Sequence, residues 1–309
     1  MLGLDQKQTD AILAENAPVL EEIEQRIRET PRDTWHPTAA ALADEYRNTV
    51  QQGTEEWFEQ RTHCVTASVV ASILGIGAYA NAGSAFRRKV GIDTSSFSSS
   101  ITQHGHTFES VAMGKYYQHT GRIPLDDFPC IPHQTYPYFG ASPDFITTCG
   151  IVGEIKCPPK RTIVPQKVPD YYMPQLQFQM EVFDLPIAHF VQYKPRVMNP
   201  VTGGVLSEEV FDITVVPRDP EWFATHLPRL QSFWRAVEQY REDGVLPPEY
   251  APNAVVVGGK RKLSFITKEA VVDDQWDMYG RAERVPTERG RRCPNRGGGG
   301  VVDEWDMYA

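Results

Sequence analysis

Ser142-Pro143-Asp144-Phe145 and, a short interval later, Gly153-Glu154-Ile155-Lys156 carry the pattern on which the fold turns. Nine residues separate Asp144 from Glu154, the length of a hairpin, and Ile151, Val152 and Ile155 give the second half the apolar character of a strand. Side chains alternate along a strand, so Glu154 and Lys156 share one face while Ile155 turns into the core on the other. Magnesium takes hard oxygen ligands and keeps several waters, so carboxylates from adjacent strands plus a substrate phosphate suit it. Asp144 and Glu154 are the expected ligands, with the backbone carbonyl of Ile155 as a further donor. An ammonium beside them, Lys156, is placed to hold and polarise an attacking water. A bare Glu-x-Lys triplet signifies little more than an exposed strand edge with a weak ion pair. The Pro-Asp at a strand start, the hairpin spacing and the apolar flanks lift this one to a site for metal-dependent phosphodiester hydrolysis.

Outward from that centre, residues 136–148, 151–156, 187–194 and 209–216 read as β-like, and 66–74, 101–119, 170–183 and 219–243 as helical. On the helix over 101–119, Phe108, Val111, Ala112 and Tyr116 fall on one face. Strands enclosed by helices without regular βαβ repetition predict an α/β fold with a mixed central sheet flanked by helices. Residues 1–52 read as an N-terminal helical extension: two amphipathic helices over 5–30 interrupted at Pro18, then an Ala-rich helix from Thr38 to Val50. Residues 53–248 form the catalytic domain. Residues 249–309 read as a flexible tail, basic and Gly-rich around Arg289 to Gly300. There Val271-Val272-Asp273-Asp274-Gln275-Trp276-Asp277-Met278-Tyr279 recurs as Val301-Val302-Asp303-Glu304-Trp305-Asp306-Met307-Tyr308. Trp276, Tyr279, Trp305 and Tyr308 are the expected anchors if the two copies dock a partner.

Composition excludes several classes. In 309 residues there is no run of about 18 apolar residues and no basic stretch followed by an apolar segment at the start, so neither a membrane span nor a signal peptide is expected. A soluble, intracellular protein follows. Five cysteines without a Cys-x-x-Cys pair read as reduced thiols and argue against zinc or an iron-sulfur cluster. A net charge of -9 disfavours a protein that coats nucleic acid, but allows one that grips DNA in a local groove or channel. Local cations stand at Arg87, Arg88 and Lys89 and at Lys156, Lys160, Arg161 and Lys167.

Six ordered blocks then bring a family into view. They are Trp57-Phe58-Glu59-Gln60-Arg61 with Thr66-Ala67-Ser68; Gly105-His106-Thr107-Phe108-Glu109; Ala141-Ser142-Pro143-Asp144; Glu154-Ile155-Lys156-Cys157-Pro158; Tyr172-Met173-Pro174-Gln175-Leu176-Gln177; and Tyr193-Lys194-Pro195-Arg196. The chain here resembles the lambda-type exonucleases, or YqaJ-like viral recombinase nucleases, of the PD-(D/E)xK superfamily, which phages and large DNA viruses encode. The resemblance implies a restriction-endonuclease-like core and digestion of the 5′ strand of double-stranded DNA ends, leaving 3′ single strands for an annealing protein. It also implies a homotrimeric ring around DNA. The expected cofactor is Mg²⁺, two ions, with Mn²⁺ able to substitute. Carried over position by position, Asp144, Glu154 and Glu109 match carboxylates at the metals, and Lys156 the catalytic lysine. Arg61 and Ser68 match the positions that receive a 5′-terminal phosphate, and Gln175 the glutamine that approaches the site.

Alternative readings stay open beside these. The same metal site serves endonucleases, and a non-catalytic DNA-end-binding scaffold keeps the fold. Gln177 and Gln179 read as helix surface, His104 and His106 as structural or surface residues, and Trp57 as a core anchor. Two positions depart from the family pattern. Phe145 follows Asp144 where the family usually has glycine, and Pro174 leaves Tyr172 ahead of the first helical turn.

Overall fold

Ile151–Lys156 is the middle strand of a five-stranded sheet and is buried along nearly its whole length. The computed structural model describes residues 4–78, 80–93, 100–252, 254–257 and 260–263. In chain order the helices are α1 (Gln6–Glu29), α2 (Pro37–Tyr46), α3 (Glu55–Thr62), α4 (Ala67–Leu74), α5 (Ala82–Lys89), α6 (Ser100–Thr120), α7 (Met173–Phe183) and α8 (Pro220–Asp243). The strands are β1 (Val65–Thr66), β2 (Pro124–Leu125), β3 (Ile131–Pro132), β4 (Phe139–Ala141), β5 (Phe145–Thr147), β6 (Ile151–Lys156), β7 (Ile187–Lys194), β8 (Val197–Met198), β9 (Val205–Ser207) and β10 (Val210–Pro217), followed by a hairpin of β11 (Ala254–Val257) and β12 (Lys260–Leu263).

The main sheet runs β10-β7-β6-β5-β2. β5 and β6 form the predicted antiparallel hairpin, β6 and β7 run parallel, and β10 returns antiparallel to β7. The sheet is therefore mixed, as predicted, with a single parallel crossover, β6-α7-β7. Apolar side chains leave both faces. Ile146, Val152, Ala188 and Phe190 join α4, α7 and α8 in the larger core. Phe145, Ile155, Val191 and Tyr193 join Phe108, Val111, Ala112 and Tyr116 of α6 in the smaller one. Covering both faces explains why β6 and β7 read as near-continuous apolar runs. A second sheet, β1-β4-β3, places the end of β4 just before Asp144.

Three sequence expectations change. Residues 5–30 are one helix and not two, because α1 runs through Pro18. Pro18 lies on the solvent side, while Ile12, Leu13 and Leu20 pack on the smaller core and the Asn16 amide donates to Ser110 O at 3.1 Å. Packing thus outweighs one lost helical hydrogen bond. The N-terminal segment is built into the body: Trp35, Ala39 and Leu42 belong to the larger core. At the other end order continues past Pro248, since Tyr250 stacks on Phe86 with ring centroids 4.3 Å apart. Trp276, Tyr279, Trp305 and Tyr308 lie outside the described residues. Phe145, which stands where the family usually has glycine, has no positive φ. It is accommodated by its partner across the hairpin: Phe145 pairs with Gly153, and a Cβ there would lie 2.1 Å from the Phe145 ring. No helix among the described residues is long and apolar enough to cross a membrane.

Candidate active site

Glu154 is 1% exposed and would be a costly buried charge without partners. The crossover supplies them. α7 begins at Met173 with Pro174 in its first turn, leaving Tyr172 as the residue before it. Its residues Gln175 and Gln179, four apart, fall on one helical face over β6. Gln175 Nε2 donates to Glu154 Oε1 at 2.7 Å and Gln179 Nε2 to Glu154 Oε2 at 2.7 Å. Lys156 Nζ, on the same face of β6, also donates to Glu154 Oε1. Each carboxylate oxygen is therefore fixed. Gln179, read from sequence as helix surface, is 0% exposed, and its amide also reaches Ser142 O at 3.4 Å. Gln177 is likewise buried, with Nε2 donating to Pro217 O at 2.9 Å, so it ties α7 to the end of β10.

Asp144 sits at the start of β5, its N–H donating to Gly153 O at 3.2 Å and its Oδ2 accepting from the Ile155 N–H. Burial, then the Glu154 carboxylate, pushes its carboxyl well above the usual range, with Glu109 adding to the effect and Lys156 opposing it. Burial alone would drive the Lys156 ammonium toward neutrality. Glu154 and Asp144 more than offset this and hold it charged above the ordinary lysine range. Glu109 comes from α6, where His106 Nδ1 lies 3.2 Å from its Oε2. His106 was expected to be structural or surface. It is exposed, but its proton affinity is raised chiefly by the hydrogen bond to Glu109. Its partnership was hidden because i and i+3 on a helix meet only if both side chains turn the same way.

Among the described residues no three His, Cys, Asp or Glu side chains are gathered as a finished coordination shell. The donor chemistry nevertheless fits a hard divalent cation. Burial first, and then the Glu154 and Glu109 carboxylates, raise the Asp144 carboxyl, with Lys156 as the opposing cation, so oxygen donors and negative charge meet at this point.

A second cluster adjoins this one through Ser142. Trp57 Nε1 donates to Ser142 Oγ at 3.0 Å, and the Arg61 guanidinium lies over the Trp57 ring at 4.2 Å. Trp57 is half-buried and is therefore a support for Arg61, whereas the sequence suggested a core anchor. Arg61 Nη2 donates to Ser68 Oγ at 3.0 Å, and Ser68 is exposed on the first turn of α4. No Arg61 ion pair with a carboxylate occurs among the described residues. Lys89 Nζ donates to Arg61 O at 2.5 Å, and Arg241 Nη2 reaches Thr62 O at 2.8 Å, so cations from α5 and α8 converge on the end of α3. Burial lowers the pKa of Arg61 and brings that of Lys89 down to about 8.

The sheet order, with the acidic pair and lysine on its central hairpin, defines a restriction-endonuclease-like core of the PD-(D/E)xK class. Residues 56–186 match the family model described as the YqaJ-like viral recombinase domain. The chain is 24% identical over 161 residues to the uncharacterized protein R354 of Acanthamoeba polyphaga mimivirus. That match covers 47% of this chain and 29% of the relative, so the chain spans less than a third of its length. Among solved structures it is similar to LHK-Exo in complex with dAMP, with a TM-score of 0.50 and 27% identity over 61% of this chain and 95% of that one. For the alkaline exonuclease LHK-Exo from Laribacter hongkongensis the TM-score is 0.49 and the identity 26%, over the same shares.

Proposed function

We propose that the chain is a divalent-metal-dependent deoxyribonuclease, an exonuclease that digests the 5′ strand of double-stranded DNA ends and leaves 3′ single strands. The observation that carries the reading is the adjacency of two differently charged clusters. One is the buried Glu154, held through both oxygens beside Asp144 and Lys156. The other is Arg61, which spends its guanidinium on a neutral hydroxyl and an aromatic face. A fixed guanidinium and an exposed hydroxyl at a helix start suit a terminal phosphate.

Mg²⁺, when bound, supplies Lewis-acid chemistry at the phosphate, and Asp144, Glu154, the Ile155 carbonyl and Glu109 would hold it. Gln175 and Gln179 keep Glu154 from rotating, so its geometry is set before substrate arrives. Lys156, charged and tied to Glu154, holds the attacking water by hydrogen bonding and offsets charge that builds on the phosphate. Arg61 and Ser68 take the 5′-phosphate and set which bond meets Lys156. The family resemblance supports the polarity, and the 27% identity to LHK-Exo, which was solved in complex with dAMP, supports a DNA substrate. The cations converging on α3 in a chain of net charge -9 support a local DNA grip, and the family resemblance alone suggests a trimeric ring as the assembly and a single-strand annealing protein as the partner.

Lys156→Ala tests the mechanism. Digestion of linear duplex should fall by about 100-fold or more while binding to the duplex is retained, as expected for loss of a group acting on the attacking water. Digestion at the wild-type rate would contradict it.

A further inference from the structure

We infer that Cys64 and Cys130 form an oxidisable dithiol in which Cys130 is the peroxide-reactive thiol and Cys64 the resolving one. The two sulfurs lie 3.7 Å apart. They meet over Gly140 of β4, where a Cβ would stand 2.9 Å from Cys130 Sγ and 3.0 Å from Cys64 Sγ, so the absent side chain is what lets them converge. Both line a cleft of roughly 530 Å³ together with Tyr46, Gln60, His63 and Pro132, which opens a path for a small oxidant. Cys64 is buried, while Cys130 is partly exposed. That is the arrangement of a protected partner behind an accessible thiol.

The electrostatics support the assignment of roles. A hydrogen bond from Cys64 favours the Cys130 thiolate, burial opposes it, and Arg61 and Lys89 add to the gain, leaving the Cys130 pKa at about 7. Cys64 moves the other way, chiefly because its proton is held in that bond and by burial. Near neutral pH Cys130 is thus substantially thiolate, the form that reacts.

The chemistry balances with a hydroperoxide as oxidant. Cys130 S⁻ attacks the peroxide; the O–O bond breaks, a sulfenic acid forms and hydroxide, or alkoxide, leaves to be protonated. Cys64 sulfur then attacks the sulfenyl sulfur, forming the S–S bond, and the hydroxyl departs with the Cys64 proton as water. For hydrogen peroxide, two thiols are oxidised by two electrons and the peroxide becomes two waters. The sulfurs need approach by only about 1.7 Å to reach bonding distance.

Cys149, exposed on the hairpin between β5 and β6, is the internal control. If exposure governed reactivity, it would react first. The full chain is treated with hydrogen peroxide near neutral pH, then with dimedone and iodoacetamide, and its peptides are followed by mass spectrometry. The expected result is a Cys64–Cys130 cross-link formed about tenfold faster than any oxidation of Cys149 and reversed by dithiothreitol. In Cys64→Ser the expected product is a dimedone adduct at Cys130. Oxidation of Cys149 with Cys64 and Cys130 still thiols, or no adduct at Cys130 in the Cys64→Ser protein, would overturn the assignment. Because the readout is covalent chemistry, it stands or falls separately from nuclease activity.

Discussion

Glu154 shows how one residue depends on others far along the chain. Its two oxygens are bonded by Gln175 and Gln179 at 2.7 Å each, and because Lys156 also donates to Oε1, it is loss of the Gln179 amide that leaves a buried carboxylate oxygen without a partner. Gln179→Leu should therefore reduce digestion by about tenfold or more, with duplex binding little changed, whereas Gln179→Glu should be worse because it sets a second buried carboxylate against Glu154. Steady-state digestion and a binding isotherm on the same duplex check both. An unchanged rate in Gln179→Leu would mean that Gln175 and Lys156 suffice to fix Glu154. Asp144, Glu154 and Lys156 were legible from their spacing alone, because a hairpin and a period of two dictate which side chains can meet. Gln179 was not, although its signal was present: it stands four residues after Gln175 on a helix that must cross over β6. An amide in a helix reads as surface until its partner is known to be buried.

At the scale of elements, the link between α6 and β7 carries a pH dependence. His189 on β7 is 2% exposed; its Nδ1 lies 3.0 Å from Tyr116 Oη on α6, and its Nε2 has no partner among the described residues. Burial, with Arg122 adding, lowers its pKa to about 4. A neutral imidazole in the fold and an ordinary one in the unfolded chain mean that the unfolded state binds more protons below about pH 6.5. Stability from this group is complete above that pH and is lost progressively as pH falls toward about 4, by about 3 kcal/mol. Urea midpoints should drop between pH 7.5 and 4.5 in the wild type and drop less in His189→Gln; equal drops would remove His189 as a cause. The helices and long strands were legible from periodicity, and the mixed sheet from their order. Two features were not. Pro18 predicted a break that α1 does not show, because its ring faces solvent while Ile12, Leu13 and Leu20 hold the helix to the body. Phe145 departed from the family's glycine, and its accommodation lay in Gly153, whose missing side chain makes room only once the two strands pair.

For the whole molecule, an acidic chain of net charge -9 keeps its working cations in a few places. Arg61, Lys89 and Arg241 meet at the end of α3, and Lys156 stands on β6 bonded to Glu154 and acted on by Asp144. Concentrated charge of this kind grips DNA at one site without coating it. No composition total could reveal that arrangement, since it depends on α5 and α8 returning to a helix encoded far from them. The family blocks pointed to Arg61 and Ser68, and the fold brings them together at 3.0 Å. The central claim is that this juxtaposition makes a nuclease that starts from 5′ ends. A linear duplex carrying 5′-phosphates, with the 5′- and 3′-terminated strands of one end bearing different fluorophores, tests it beside a covalently closed circle, with Mg²⁺ or with EDTA. The expected result is loss of the 5′-terminated strand alone, survival of its complement as a 3′ single strand, an intact circle, and no digestion in EDTA. Prompt cutting of the circle, or earlier loss of the 3′-terminated strand, would contradict it.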